Sequence, residues 1–277
     1  MSDRPALSND PPRQEVASTA VHRFTTDGSE TFMDVVALEE PLELRLHGED
    51  APLTLAVLMR TPGHDRELLL GWLVSEGLLP VEFDLAPDDG NPNVWHLHTP
   101  EHSRVAAGAR LGVSSSACGV CGTGSIERLA VKAHLPLWTG NPLSPDLILS
   151  LPEKLLAAQA GFQATGGLHA AGLFSPAGEL LHAFEDVGRH NAVDKVVGRA
   201  VQRLPLSNHI LCVSSRAGFE IVQKAVMAGI AVVVTVGAAS SLAVETAQTF
   251  GVTLCAFTRP DRFTVYSAPE RVLPGTP

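Results

Sequence analysis

Between Lys224 and Glu245 the chain runs for 20 residues without a charge, and the way that run is interrupted constrains the fold more than any other feature. An apolar stretch of about 20 residues can cross a bilayer as one helix. This one carries Gly229, Gly237, Ser240 and Ser241 where a soluble chain changes element. It therefore reads as a helix end, a strand buried on both faces and a new helix. Extended both ways, the pattern is strand 210–214, helix 219–228, strand 230–236, helix 241–250 and strand 252–257. Valine-rich strands alternating with helices predict a parallel sheet sheltered on both sides.

The rest of the chain is less regular. Leu42, Leu44 and Leu46 alternate with Glu43 and Arg45, a half-buried strand, and 52–59 is its hairpin partner. Asp65 caps a helix to about Ser75, and 94–98 is a weak strand in a loop-rich stretch. Later, 153–159 reads as a helix, and 168–174 with 179–184 as a hairpin turning at Ser175-Pro176-Ala177-Gly178. Asn191 is placed to cap a helix reaching about Gln202. The polar opening, with Pro5, Pro11 and Pro12, reads as a disordered tail. The organisation expected is a tail (1–25), an N-terminal α+β region (26–110), a segment of loop, helix and Pro-rich linker (111–145) and an α/β domain (146–270).

Composition excludes several classes. Hydrophobic residues make up 45% and charged residues 18% of the 277, enough for a core and too few charges for a disordered chain. The net charge of −10 gives no bulk attraction to a nucleic-acid backbone. Four cysteines in a chain of this length do not make a disulfide framework. No secretory pattern opens the chain, so a cytoplasmic setting without membrane or nucleic-acid partners is expected.

Parallel α/β sheets bind ligands beyond the carboxyl ends of their strands. Those ends carry Ser214-Ser215-Arg216, Gly237-Ala238-Ala239-Ser240-Ser241 and Thr258-Arg259-Pro260-Asp261-Arg262. Arginines, hydroxyls and two helix N-termini on one edge suit a phosphorylated ligand. Alternatively, the arginines pair with Glu220, Glu245 or Asp261 and tie loops together. Neither a GxGxxG after a strand nor a Walker A motif is present.

Cys118 and Cys121 form a CxxC within SSSACGVCGTGS. Such a pair can supply half of a structural zinc site, form a redox disulfide, carry sulfur, or do no chemistry. Cys212 and Cys255 read as buried small hydrophobes. His169 sits in TGGLHAAGLF, where Ala171 replaces the acid–base glutamate of a zinc deaminase. It is either that motif's remnant in a deaminase-like fold or a strand histidine satisfied in the core. Asp186, Arg189, His190, Asn191, Asp194 and Lys195 form a dense cluster. It reads either as a salt-bridged cap or as a site where His190 and Lys195 face a ligand.

These segments, with LGWLVSEGLL (70–79), CGVCG (118–122), EDVGRHNAVDK (185–195), SSRAGFEIVQKA (214–225), SLAVETA (241–247) and FTRPDRFTVY (257–266), resemble in order those of the formate dehydrogenase accessory sulfurtransferases, the FdhD-type family. The resemblance implies an α/β fold with a cytidine-deaminase-like core and a smaller N-terminal α+β region, assembled as a homodimer. It implies a sulfurtransferase that takes sulfur from a cysteine desulfurase as a persulfide on Cys118, with Cys121 as its partner. The sulfur passes to the bis(molybdopterin guanine dinucleotide) molybdenum cofactor destined for formate dehydrogenase. That cofactor is a bound substrate, and no metal of the protein's own is implied. Phe257, Thr258, Arg259, Pro260, Asp261 and Arg262 match the family's cofactor-binding stretch, with Arg216, His190 and Lys195 as further candidates. A cofactor chaperone with incidental cysteines and a zinc protein of deaminase descent are the alternatives. Ser215 stands where the family often has glycine, Ala239 where it often has proline, and Pro260-Asp261 where a Gly-containing turn is commoner. These departures bear on the shape of the nucleotide pocket.

Overall fold

The structure, a computed structural model, describes residues 15–48, 51–112, 129 and 138–273. Cys118 and Cys121 lie outside the described residues. Three sheets are present among the described residues. The largest has six strands in the order β12-β11-β10-β9-β7-β8: β7 (His169–Phe174), β8 (Leu180–Asp186), β9 (Ile210–Val213), β10 (Val232–Thr235), β11 (Thr253–Arg259) and β12 (Arg262–Ser267). The central β9, β10 and β11 run parallel, and β7, β8 and β12 are antiparallel to their neighbours. Every residue of β9 and β10 is buried, as expected for apolar strands covered on both faces. The uncharged run is thus a helix end, β10 and a new helix, and among the described residues no helix is long and apolar enough to cross a membrane.

A second sheet, β4-β3-β6-β5, comprises β3 (Glu40–His47), β4 (Leu53–Arg60), β5 (Asp84–Pro87) and β6 (Val94–His98). Leu42, Leu44 and Leu46 of β3 point into its core, with Leu68, Leu69 and Leu73 of helix α1 (Asp65–Ser75). The alternation of β3 dictates this arrangement, because residues two apart share one face. Helix α2 (His102–Gly112) closes the sheet at one side.

Among the described residues the α-helices that follow include α3 (Pro145–Ala157), α4 (Ala160–Thr165), α5 (Arg189–Arg199), α6 (Phe219–Met227) and α7 (Ser241–Phe250). One face of the large sheet carries α5, α6 and α7 over Val193, Val197, Ile221, Val233 and Leu254. The other carries α3 through Ile148, Leu151 and Leu155. Helix α1 of the N-terminal region crosses α5 backbone to backbone. A Cβ on Gly71 would overlap the Asp194 carbonyl oxygen, and one on Gly198 the Glu67 carbonyl oxygen. Only glycine allows that approach.

Several expectations are corrected. The tail does not reach Thr25, since β1 (Val16–Thr25) pairs along its whole length with β2 (Gly28–Ala37) as a separate two-stranded ribbon. The helix expected at 153–159 begins at Pro145, capped by the Ser144 hydroxyl accepting from Leu147 N at 3.2 Å. Pro145 suits a first helical position, and Pro152 is accommodated inside the helix. Asp65 is the first residue of α1 rather than its cap, which is His64. Asn191 lies inside the first turn of α5, whose cap is Gly188. Its side-chain amide donates to Met59 O (2.7 Å) and Asp186 Oδ1 (2.9 Å).

Candidate functional site

Beyond their carboxyl ends, β9, β10 and β11 continue side by side through main-chain bonds. Val236 N donates to Val213 O, Gly237 N to Ser215 O, Ala217 N to Ala238 O and Phe257 N to Gly237 O, at 2.9–3.2 Å. A Cβ on Gly237 would come within 2.8 Å of Arg216 Cα, so glycine is required for the loops to stack this closely. The stacked loops wall a cleft of ≈ 380 Å³ lined by His169, Arg189, Ser214, Ser215, Arg216, Val236, Gly237 and Arg259.

The cleft is cationic. Arg259 Nη1 donates to Val236 O (2.6 Å) and Thr258 O (3.0 Å), fixing its guanidinium on main-chain carbonyls. Among the described residues none of Arg189, Arg216 and Arg259 has a carboxylate within ion-pair distance. Ser214 Oγ accepts from Ala170 N at 2.9 Å, tying the β9 loop to β7. His169 opens β7 at the mouth; burial, then the charges of Arg189 and His190, hold its imidazole below the usual histidine range. Helices α6 and α7 start beside these loops. Gly218 caps α6 without a side-chain bond, whereas Ser240 Oγ caps α7 by accepting from Ala243 N at 3.3 Å. Positive helix ends and fork-shaped guanidinium groups are both suited to anions.

Of the residues expected from sequence, Arg216 and Arg259 line the cleft. Phe257 is exposed at its edge with φ 53°. Thr258 is buried, and among the described residues its hydroxyl has no hydrogen-bond partner. Pro260 and Asp261 form the two-residue turn between β11 and β12. Arg262 is exposed and pairs with its neighbour Asp261 at 3.0 Å.

His190 lies one residue beyond Arg189, with its Nε2 2.7 Å from Glu220 Oε2. That imidazole holds the Glu220 carboxyl below the usual carboxylate range against the opposing effect of burial. Lys195 is not in the cleft. It is buried, 2.8 Å from Asp186 Oδ2, and donates to Thr61 O (3.0 Å) and Glu185 O (3.2 Å). The salt-bridged-cap reading fits Lys195: Asp186 also accepts from Thr61 N, Gly188 N and the Asn191 side chain. Arg189 and His169 line the cleft although neither was among the ligand candidates; a signal was present in the arginine that opens the helix after β8.

Cys212 and Cys255 are buried and free. Burial pushes the Cys255 thiol up to about 12 and the Cys212 thiol higher still. Thiolates do the chemistry of cysteine, so neither is a nucleophile at neutral pH. Among the described residues no group of three or more His, Cys, Asp or Glu side chains is arranged to hold a metal ion.

The strand ends of this α/β sheet and the start of α5 thus gather around one cleft three arginines that have no carboxylate partner among the described residues. Comparison with known proteins gives the family of the chain. The FdhD/NarQ family profile matches residues 37–273, and the chain belongs to that family. It is 46% identical to a protein of Streptomyces coelicolor named sulfur carrier protein FdhD, over 91% of this chain and 94% of that one. A protein of the same name from Sulfurisphaera tokodaii is 44% identical over 94% of this chain and 100% of its own length. A solved structure described as a formate dehydrogenase accessory protein, from Desulfotalea psychrophila, superposes with a TM-score of 0.73. It covers 94% of this chain and 100% of that one at 24% identity, a likeness of fold.

Proposed function

We propose that this chain carries sulfur for the maturation of formate dehydrogenase, taking it from a cysteine desulfurase and giving it to a molybdenum cofactor bearing guanine nucleotides. The observation that supports this most directly is the cleft. Arg189, Arg216 and Arg259 have no carboxylate partners among the described residues, and each stands where a phosphate group can be gripped by more than one donor. The family's curated members are named sulfur carriers, and the CxxC supplies the thiols such a role needs.

In this reading the Cys118 thiolate attacks the terminal sulfur of the desulfurase persulfide. The donor cysteine leaves as a thiolate, and Cys118 becomes the persulfide. Attack of the Cys121 thiolate on the Cys118 sulfur then forms a disulfide and expels hydrosulfide towards the acceptor, the thiol pair supplying the two electrons. The nucleotide phosphates sit against the arginines and the start of α6. The same reading places the protein in the cytoplasm as a homodimer. It takes the six-stranded sheet as a deaminase-like core without a deaminase's acid–base group, since Ala171 holds that position.

The test is intact-mass spectrometry after incubation with a cysteine desulfurase and L-cysteine, on wild type, Cys118→Ala and Cys121→Ala. The expected result is a gain of whole sulfur atoms that reductant reverses and Cys118→Ala abolishes. No gain in any form, with a guanine nucleotide still bound, would replace this reading by that of a cofactor chaperone.

A further inference from the structure

We propose that His169 is a ligand-binding residue of the cleft that takes up a proton when a pyrophosphate group enters, and so favours a pyrophosphate, with at least two negative charges, over a single phosphodiester. This rests on the cleft being a phosphate site, the reading given above.

The argument starts from what surrounds the ring. His169 lines the cleft, is half-buried at the head of β7, and among the described residues has no hydrogen-bond partner on either ring nitrogen. Each neighbouring element has its charges accounted for. From α5, Arg189 and His190 face it, and both disfavour a positive imidazole. From α6, Glu220 is engaged with His190 at 2.7 Å. From β8, Asp186 stands opposite His169 in the register, but its oxygens are committed to Lys195, Thr61 N, Gly188 N and Asn191. Glu185 is turned to the start of α4, accepting from Gly161 N (2.8 Å) and Phe162 N (2.7 Å). The loop after β9 offers Ser214, Ser215 and Arg216, and the end of β11 offers Arg259. Asp186, Glu185 and Glu220 are thus each engaged elsewhere, and burial with the charges of Arg189 and His190 favours the neutral imidazole.

A pyrophosphate group changes that balance. It brings negative charge into a space where the groups near His169 are cations, and an opposite charge within about 4–6 Å raises a histidine's affinity for its proton by about 1–3 pH units. The proton comes from solvent, and the imidazolium becomes a further donor to the phosphate oxygens. A single phosphodiester supplies half the charge of a pyrophosphate or less and gains less, which is the source of the selectivity. The protonated form binds more tightly, so affinity falls as pH rises through the ring's titration in the complex.

The experiment is calorimetric titration of the full chain with inorganic pyrophosphate and, separately, with guanosine diphosphate. Each is run in two buffers of different ionisation enthalpy, for wild type, His169→Asn and His169→Gln. Because the probes titrate themselves, the quantity read is the difference between wild type and variant. The expected result is about 0.5–1 more proton taken up by wild type near pH 7.5, and binding weaker by about three- to tenfold in the variants near pH 7. The wild-type affinity should fall with pH more steeply than theirs. Ring resonances of labelled wild type, titrated with and without pyrophosphate, read the same event without a substitution. The His169 midpoint should move up by at least about one pH unit. Equal proton uptake in wild type and variants, or an unmoved His169 midpoint with pyrophosphate bound, overturns the role of His169 while leaving the phosphate site standing. Absence of binding by either probe to wild type overturns both.

Discussion

Gly71→Ala asks whether main-chain contact sets the crossing of α1 and α5. In an uncrowded helix interior alanine is favoured over glycine by about 1 kcal/mol, so without the close approach the change would stabilise the protein. At Gly71 the added methyl would overlap the Asp194 carbonyl oxygen and lie 2.5 Å from its carbonyl carbon and 2.7 Å from its Cα. Carbon atoms in good contact stand about 3.5–4.0 Å apart, so the helices must part by roughly 1 Å, and main chain cannot rotate away as a side chain can. Overpacking of this kind costs about 1–3 kcal/mol. The displaced Asp194 also accepts from Ser75 Oγ at 2.8 Å and from Lys224 Nζ at 2.7 and 2.8 Å. Losing one partner of such a buried pair costs about 3–5 kcal/mol, and a partial loss is expected here. Offset by the helix preference, the net destabilisation is about 2–4 kcal/mol. At about 2–4 °C per kcal/mol for chains of this size, Tm falls by about 5–15 °C. Urea unfolding followed by circular dichroism measures the same quantity. Gly108→Ala on α2 is the comparison, since among the described residues its methyl would crowd only the Leu78 Cδ2 tip, at 2.5 Å, and it should cost less than about 1 kcal/mol. A Gly71→Ala protein as stable as wild type would refute the reasoning.

Lys195→Met removes the cation from a buried pair, leaves Asp186 uncompensated and should cost about 3–5 kcal/mol; if pyrophosphate affinity fell while urea stability held, Lys195 would be a ligand group after all. Arg216→Ala and Arg259→Ala should each weaken pyrophosphate binding by about 10- to 100-fold, the worth of one charge-assisted hydrogen bond, with little change in Tm. An Arg262→Ala change should leave that affinity nearly unaltered, because its exposed pair with Asp261 lies outside the cleft. Native protein treated with iodoacetamide near pH 8 should be alkylated at Cys118 and Cys121 and spared at Cys212 and Cys255, which react only after denaturation; peptide mapping reads this directly.

The sequence showed the large sheet's parallel core because its signals are local. Each of β9, β10 and β11 is a short apolar run, and Gly229 and Gly251 mark the helix ends between them. The cleft was legible for the same reason: strand ends are where loops begin, and Arg216 and Arg259 sit there. What escaped depends on distant partners. Lys195 lies in a polar motif that reads as a site, and only the packing of Thr61 and Asp186 around it shows that its charge is spent inside. The β1–β2 ribbon was hidden because its residues are mostly exposed, so no burial pattern marks it. Helix α3 starts well before 153 because Ser144 and Pro145 form its start signal and Pro152 is accommodated within it.

The stacking of the cleft loops has a consequence for how the family can vary. Their spacing is held by main-chain bonds, so the loops act as an extension of the sheet and not as a product of particular side chains. Replacements that keep the backbone path should then pass unnoticed by the arginines. Ala239 shows how: Ala217 N bonds Ala238 O and Ser240 N bonds Ala217 O, so the ladder steps over the Ala239 amide. A proline there would forfeit no bond of that ladder, and Ser215 likewise joins the lattice through its carbonyl. Gly237 is the exception, because the space beside it is already filled by the Arg216 backbone. Drift is tolerated along this edge wherever the main chain does the holding, and is blocked at the one point where two main chains touch.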